Sequence, residues 1–294
     1  MTVSSTAVPA RSTPSPTGDG DERPPGLIVP GRRSGRRRPP ALSLLLRASV
    51  PGAILALWWW GAASGTVDPG VLSAPSSVLV ALRELVATGQ LGDFLLASFG
   101  RAVPGVLIGV GLGLVLGVAS GLSALGEELV DPTMQIVRAV PFLALVPLLI
   151  SWFGVDETFK IVLIAVAAVA PMYAYTYLGV RGVDPRLIEA ARDLGLSGPR
   201  LVLEVVLPTA LPSILMALRI CMSVSLTGLI AAEQIGTTEG IGYLVTLAQQ
   251  YFRTDYMVLC ILIYAVIGIL IDLAIRLAER LLLPWHGGAA LRRN

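Results

Sequence analysis

The residues best placed to do chemistry lie in one polar interruption of a largely apolar chain. It reads Glu189-Ala190-Ala191, three residues, Gly195, nine residues, Val205, one residue, Leu207-Pro208. Arg186, Glu189, Arg192, Asp193, Arg200 and Glu204 crowd into the same segment, while its flanks are long and apolar enough to cross a bilayer. Such a segment must sit in water at a membrane face, and its chemistry is recognition, with charged and apolar groups presented for a partner to grip. Asp184 followed by Pro185 is an N-cap with proline in the first turn. The helix they open runs through Leu187, Ile188, Ala190, Ala191 and Leu194, an apolar stripe edged by Arg186, Glu189 and Arg192. Gly195 fits the left-handed position that ends a helix. Ser197, Gly198 and Pro199 then start a second short helix whose Leu201, Val202, Val205 and Val206 lie on the bilayer boundary, until Pro208 turns the chain into the next span. The product is a rigid helix-turn-helix.

Other chemistries find no support. Lys160 is the only lysine and follows Phe159, so no GxxxxGK[ST] phosphate loop is present. His286, beside Trp285, is the single histidine and reads as an interfacial residue. No serine, histidine and carboxylate set suggests catalysis. Cys221 and Cys260 fall in apolar stretches without CxxC spacing, and read as small packing residues, with no metal site.

A second group of polar residues falls inside the apolar stretches, where ionisable groups are costly and face a cavity or one another. Arg138 lies near the inner end of span three, Arg219 about halfway along span five, Glu233 at its outer end and Asp272 in the inner half of span six. Arg219 either meets an anionic substrate or pairs with Asp272, and the pairing is favoured. Ser223, Ser225 and Thr227 either line a polar path or serve helix packing. Arg138, Arg219, Ser223, Thr227 and Glu233 are the candidate translocation path.

The elements that position these groups follow from hydropathy. The 294 residues are 54% hydrophobic and 14% charged, with mean hydropathy +0.74, against roughly 25% charged in a soluble domain. Six stretches approach the roughly 20 apolar residues a helical span needs: 44–64, 101–123, 132–152, 158–179, 209–233 and 256–283. No alternating ten-residue barrel pattern occurs. Residues 1–40 form a Pro-, Ser-, Gly- and Arg-rich tail expected to be disordered. Its basic run Arg32, Arg33, Arg36, Arg37, Arg38 reads as a topology signal before a retained first helix. Residues 41–90 then hold the first span and an interfacial segment, 91–285 the core and 286–294 a short tail. Sixteen arginines fall in the segments that are inner if the amino terminus is cytoplasmic, against Arg83, Arg101, Arg253 and Lys160 outside. Both termini and the Glu189 loop are therefore expected in the cytoplasm. Within the first outer segment Ser77 is expected to cap a short helix with Val78, Leu82, Leu85 and Val86 on one face. In span two, Gly105, Gly109, Gly113, Gly117 and Gly121 recur every four residues, which suits either close static packing or a sliding or dimer surface.

The spacing of the polar loop resembles the hallmark of the permease subunits of binding-protein-dependent ABC importers: EAA, three residues, G, nine residues, I, one residue, LP. Only Val205 departs, standing where the family usually has isoleucine. Softer pieces resemble the nitrate, sulfonate and taurine branch: Ser98 to Arg101, Arg138 to Pro147 (RAVPFLALVP), Trp152 to Gly154, Leu218 to Ile220, Ala232-Glu233 and Gly240 to Leu244 (GIGYL). The resemblance covers about Leu91 to Trp285. It implies an all-α membrane protein of six transmembrane helices with the type I importer fold, in which Glu189, Ala190, Ala191, Gly195, Leu207 and Pro208 form a cytoplasmic coupling element. It further implies a separate ATPase, in two copies, that binds the ATP and Mg, an extracytoplasmic solute-binding protein, a permease homodimer embedded in lipid of the inner (plasma) membrane, and a sulfonate, taurine or nitrate-like cargo. No nucleic-acid partner and no cofactor in this chain are implied. An ion-coupled secondary transporter is the rival reading; it would need paired carboxylates in the spans and an inverted repeat.

Overall fold

The computed structural model describes residues 40–68 and 70–284, with side chains from Ser49 onward. The basic tail, Trp285 and His286 lie outside the described residues. The described chain is helical: α1 (Pro40–Ala63), α2 (Pro75–Ala87), α3 (Gln90–Leu122), α4 (Ala124–Ala139), a 3₁₀ turn (Phe142–Leu145), α5 (Val146–Phe153), α6 (Glu157–Arg181), α7 (Pro185–Asp193), α8 (Gly198–Leu201), a π turn (Val202–Val206), α9 (Leu207–Glu233), α10 (Ile241–Gln250) and α11 (Thr254–Leu282). Pro40, grouped with the tail on composition, opens α1.

Among the described residues four helical runs are long and apolar enough to cross a membrane: α3, α6, the α8–α9 run from Gly198 to Glu233, and α11. The stretch expected as one span near 132–152 is instead a broken pair, with α4 and the Phe142–Phe153 segment bent by 86°. Proline accounts for the break. Val140, before Pro141, is pushed out of the helical region to φ −83 and ψ 121, and Pro141 has no N–H to continue the ladder. Span two also begins earlier than hydropathy marks it, because Ser98 and Arg101 in the early turns of α3 are buried against other helices.

The α6 helix is the centre of the bundle, packed between α3 and α9. Half of its apolar window is buried, against 22–28% for the other three runs, so α6 contacts mostly protein where the others keep wide free faces. The glycine ladder of α3 makes this packing possible. A Cβ on Gly105 would lie 2.7 Å from Ile164 Cβ, on Gly113 2.6 Å from the Val169 carbonyl oxygen, on Gly117 2.7 Å from Thr176 Cβ and on Gly121 2.7 Å from Val180 Cβ. One on Gly109 would meet the Ala165 carbonyl oxygen. All five point at α6 of the same chain, so this face is filled and is not open to a second copy.

Two local expectations are corrected. In α2 the cap position is Ala74, with Pro75 in the first turn, not Ser77. The buried face is Val78, Ala81 and Leu85, whereas Val86 is 60% exposed. At the other correction, Pro208 does not turn the chain: α8, the π turn and α9 are continuous. The amide of Leu207 donates to Val202 five residues back, and this wider turn admits a proline that has no N–H of its own.

Candidate coupling turn, translocation face and polar knot

The turn between α6 and α9 holds the first group of candidate residues. The Asp184 carboxylate accepts from the Arg186 amide at 2.9 Å and caps α7. At the other end Gly195 has φ +87, and its amide donates to Arg192 O while that of Leu196 donates to Ala191 O. This pair of bonds is the Schellman stop. An added Cβ on Gly195 would meet nothing within 4 Å, so the glycine is needed for its backbone conformation and not for space. The apolar stripe is divided. Ala191 is buried and Ile188 packs on Val180, Val183, Val206 and Ala210. Leu187, Glu189, Ala190 and Leu194 face out, Leu194 at 85% exposure. Leu207 and Pro208 are half-buried in the first turn of α9.

The intramembrane residues separate into three environments. Arg219 is paired: its Nη2 donates to Glu279 at 3.0 Å, and its Nε lies 3.2 Å from Asp272, close enough to pair but not aligned for a hydrogen bond. Asp272 also accepts from Arg276 at 2.6 Å. Sequence reasoning found Asp272 and missed Glu279, one helical repeat further along the same face of α11. Ser223 and Thr227 are exposed on α9, each hydroxyl donating to the carbonyl four residues back. Arg138, exposed in the last turn of α4, lies at a cleft of about 320 Å³ formed where the chain breaks at Pro141.

Glu233 corrects its place in the candidate path: it is 0% exposed. Its carboxylate accepts from Ser98 Oγ at 2.8 and 2.9 Å, from Arg101 Nη1 at 2.9 Å and from the Gly242 amide at 2.8 Å. Ser98 in turn accepts from the Ile241 amide, and Arg101 donates to Glu239 O. The far side of the Arg101 guanidinium forms a forked pair with Glu157 at 2.5 and 3.0 Å, and Glu157 accepts from Lys160 at 2.8 Å. An added Cβ on Gly242 would lie 2.6 Å from Glu233 Cβ, and one on Gly240, at φ +113, 2.8 Å from Arg101 Nη1. Three short pieces singled out in the sequence as separate (Ser98–Arg101, Ala232-Glu233, Gly240–Leu244) are thus one buried polar knot. Glu157 and Lys160 completed it unannounced; their spacing of three residues, on one helix face, was the available signal.

The knot ties together the start of α3, the start of α6 and the end of α9, so it lies at the opposite end of the bundle from the α7 turn. Beside it opens a cleft of about 930 Å³ lined in part by Asp93, Glu239, Tyr243, Tyr251 and Arg253. Arg253 donates to Asp255 at 2.8 Å and to Glu84 at 3.3 Å, and sits 4.3 Å over the Tyr256 ring. The Asp255 carboxylate raises its guanidinium above the usual arginine value. Phe252, next to it, holds φ 54 and is 88% exposed.

Residues 109–283 match the family described as binding-protein-dependent transport system inner membrane component. The chain is 40% identical over 255 residues to a Bacillus subtilis protein named aliphatic sulfonates transport permease protein SsuC, covering 87% of this chain and 91% of that one. It is 42% identical over 250 residues to the Escherichia coli protein of the same name, covering 84% and 95%. It is 36% identical over 261 residues to the Escherichia coli taurine transport system permease protein TauC, covering 87% and 95%. Among solved structures, an amino acid ABC transporter with histidines superposes with TM-score 0.57 at 22% identity, covering 68% of this chain and 97% of that chain. The inward-facing MetNI methionine ABC transporter gives 0.54 at 20%, covering 68% and 97%; at these identities the likeness speaks for the fold. The hydropathy, the helical bundle and these matches agree that the chain belongs to the inner membrane components of binding-protein-dependent transport systems.

Proposed function

We propose that this chain is the permease subunit of an ATP-driven importer that receives a small organic anion of the sulfonate or taurine kind, or a nitrate-like anion, from a solute-binding protein. Six crossings are assigned to α1, α3, the α4–α5 pair, α6, the α8–α9 run and α11, with both termini in the cytoplasm. The working assembly is two permeases with two ATPase chains that bind ATP and Mg. In this reading the cleft beside the polar knot faces the solute-binding protein, and the α7 turn at the other end docks in the ATPase.

The observation that carries the reading is the exposed α7 surface. Leu194, an apolar side chain at 85% exposure, and a Glu189 left without an ion-pair partner among the described residues stand on a helix capped at both ends. A capped, outward-facing helix with an apolar knob suits a protein groove better than water. The relatives named for sulfonate and taurine transport support the cargo class. The rival reading is disfavoured by Asp272, whose carboxylate is already shared between Arg219 and Arg276 and is not free to carry an ion.

Gly195→Asp tests the docking role. A Cβ at φ +87 adds backbone strain, about 1–2 kcal/mol for most residues and less for Asp, and a carboxylate at the C-terminal end of α7 opposes the helix dipole and adds a charge to the docking face. The variant permease is expected in the membrane at normal abundance, with ATPase co-purification and uptake both lost. Retention of both at wild-type level refutes the coupling assignment.

A further inference from the structure

We infer that the cleft at the α4–α5 break is a transit subsite for an amphipathic organic anion, with the acid group on Arg138 and the aliphatic portion against the apolar walls. This rests on the transport reading above and adds a place in this chain where the cargo is held. The cleft measures about 320 Å³, at the small end of the roughly 300–1,000 Å³ range of ligand pockets. Its walls are apolar: Phe142 and Leu145 from the 3₁₀ turn, Ala170 and the body of Tyr175 from α6, and Val224 from α9. Arg138 is its only charged lining residue, so nothing in the cleft repels an anion.

Of the two arginines that line the clefts described above, Arg253 holds a carboxylate and Arg138 has none among the described residues. An arginine in a spanning element without a counter-charge is costly, and a sulfonate, with three acceptor oxygens, would supply one through charge-assisted hydrogen bonds. A short aliphatic chain on the same molecule would cover the walls and gain about 0.8 kcal/mol for each methylene buried. The cleft borders the α9 face that carries Ser223 and Thr227, since Val224 lines it and a Cβ on Gly228 would lie 3.3 Å from the Phe142 ring.

The test is uptake by cells carrying the whole importer, with methanesulfonate, butanesulfonate and octanesulfonate supplied separately, together with binding of the same three to the purified permease–ATPase complex without the solute-binding protein. Arg138→Gln is expected to weaken all three by about tenfold or more, the range of a charge-assisted hydrogen bond, and Arg138→Lys by less. Ala170→Leu, at a half-buried wall position, is expected to weaken octanesulfonate most and leave methanesulfonate near wild type. If wild-type cells take up none of the three, this inference fails, and if they refuse taurine and nitrate as well, the transport reading fails with it. If uptake is normal and the variants keep the wild-type chain-length profile in uptake and binding, the subsite is refuted while the transport reading stands. A change confined to the phospholipid that co-purifies with the Arg138→Gln complex also refutes it, since the cleft is then a lipid site.

Discussion

The α7 turn and the polar knot sit at opposite ends of the same three helices and are built by opposite means. Everything that shapes the turn lies within about twenty consecutive residues: a capping aspartate, a proline, a glycine at φ +87 and an outward leucine. Everything that shapes the knot comes from four separate places in the chain, and Ser98 and Glu233 are 135 residues apart. The turn is exposed and depends on backbone conformation. The knot is buried at Ser98, Arg101, Lys160 and Glu233, with Glu157 reaching the surface at its rim, and depends on charge neutralisation. An element meant to engage another protein can be specified locally and left open, whereas one that holds helices to each other must be satisfied from within, because no water or partner will complete it.

The comparison can be broken most decisively at Glu233. Glu233→Ala leaves the almost fully buried Arg101 guanidinium paired only on its far side, with Glu157, and takes the acceptor from Ser98 and the Gly242 amide; removing one partner of a buried ion pair costs about 3–5 kcal/mol. Loss of most folded permease from the membrane fraction, and a large fall in thermal stability of what remains, is the expected result; normal abundance would show that the knot is dispensable. A comparable but purely steric break is Gly113→Leu, which forces side-chain atoms into the Val169 carbonyl across the α3–α6 contact. Overpacking of this kind costs about 1–3 kcal/mol, so reduced thermal stability of the purified protein should follow. The turn should behave otherwise: Gly195→Asn, which tolerates the left-handed conformation, is expected to keep both abundance and ATPase co-purification within about twofold of wild type. If it loses the ATPase as Gly195→Asp does, side-chain bulk at the interface, not the added charge, governs docking.

That contrast also explains what could be read from residue order alone. The two ends of α7 were legible to the single residue, since N-cap, proline and C-terminal glycine act on their immediate neighbours. The apolar runs, the α3 glycine repeat and the Arg219–Asp272 pairing were legible for the same reason, each resting on periodicity or on a scarce charge. The knot was not, although all its parts had been marked, because their meeting depends on how α3, α6 and α9 pack. For Glu233 position within a span suggested a path, and burial shows a structural anchor instead. The break at Pro141 and the continuity through Pro208 were misjudged in opposite directions. Two prolines in apolar stretches behave differently because one follows a residue driven into extended geometry and the other follows a π turn that has already widened the helix.

That π turn has a mechanical consequence. The run from Gly198 to Glu233 continues through Pro208 as 36 residues, about 54 Å at 1.5 Å per residue, with the π turn and Pro212 as the places where it bends most easily. Its near end lies beside the α7 turn and its far end is clamped in the knot. Under the proposed docking of α7, whatever part of a push on the near end the π turn and Pro212 do not absorb would swing the rest of α9 about its clamped end, carrying Arg219, Ser223 and Thr227 through distances that shrink toward the fulcrum.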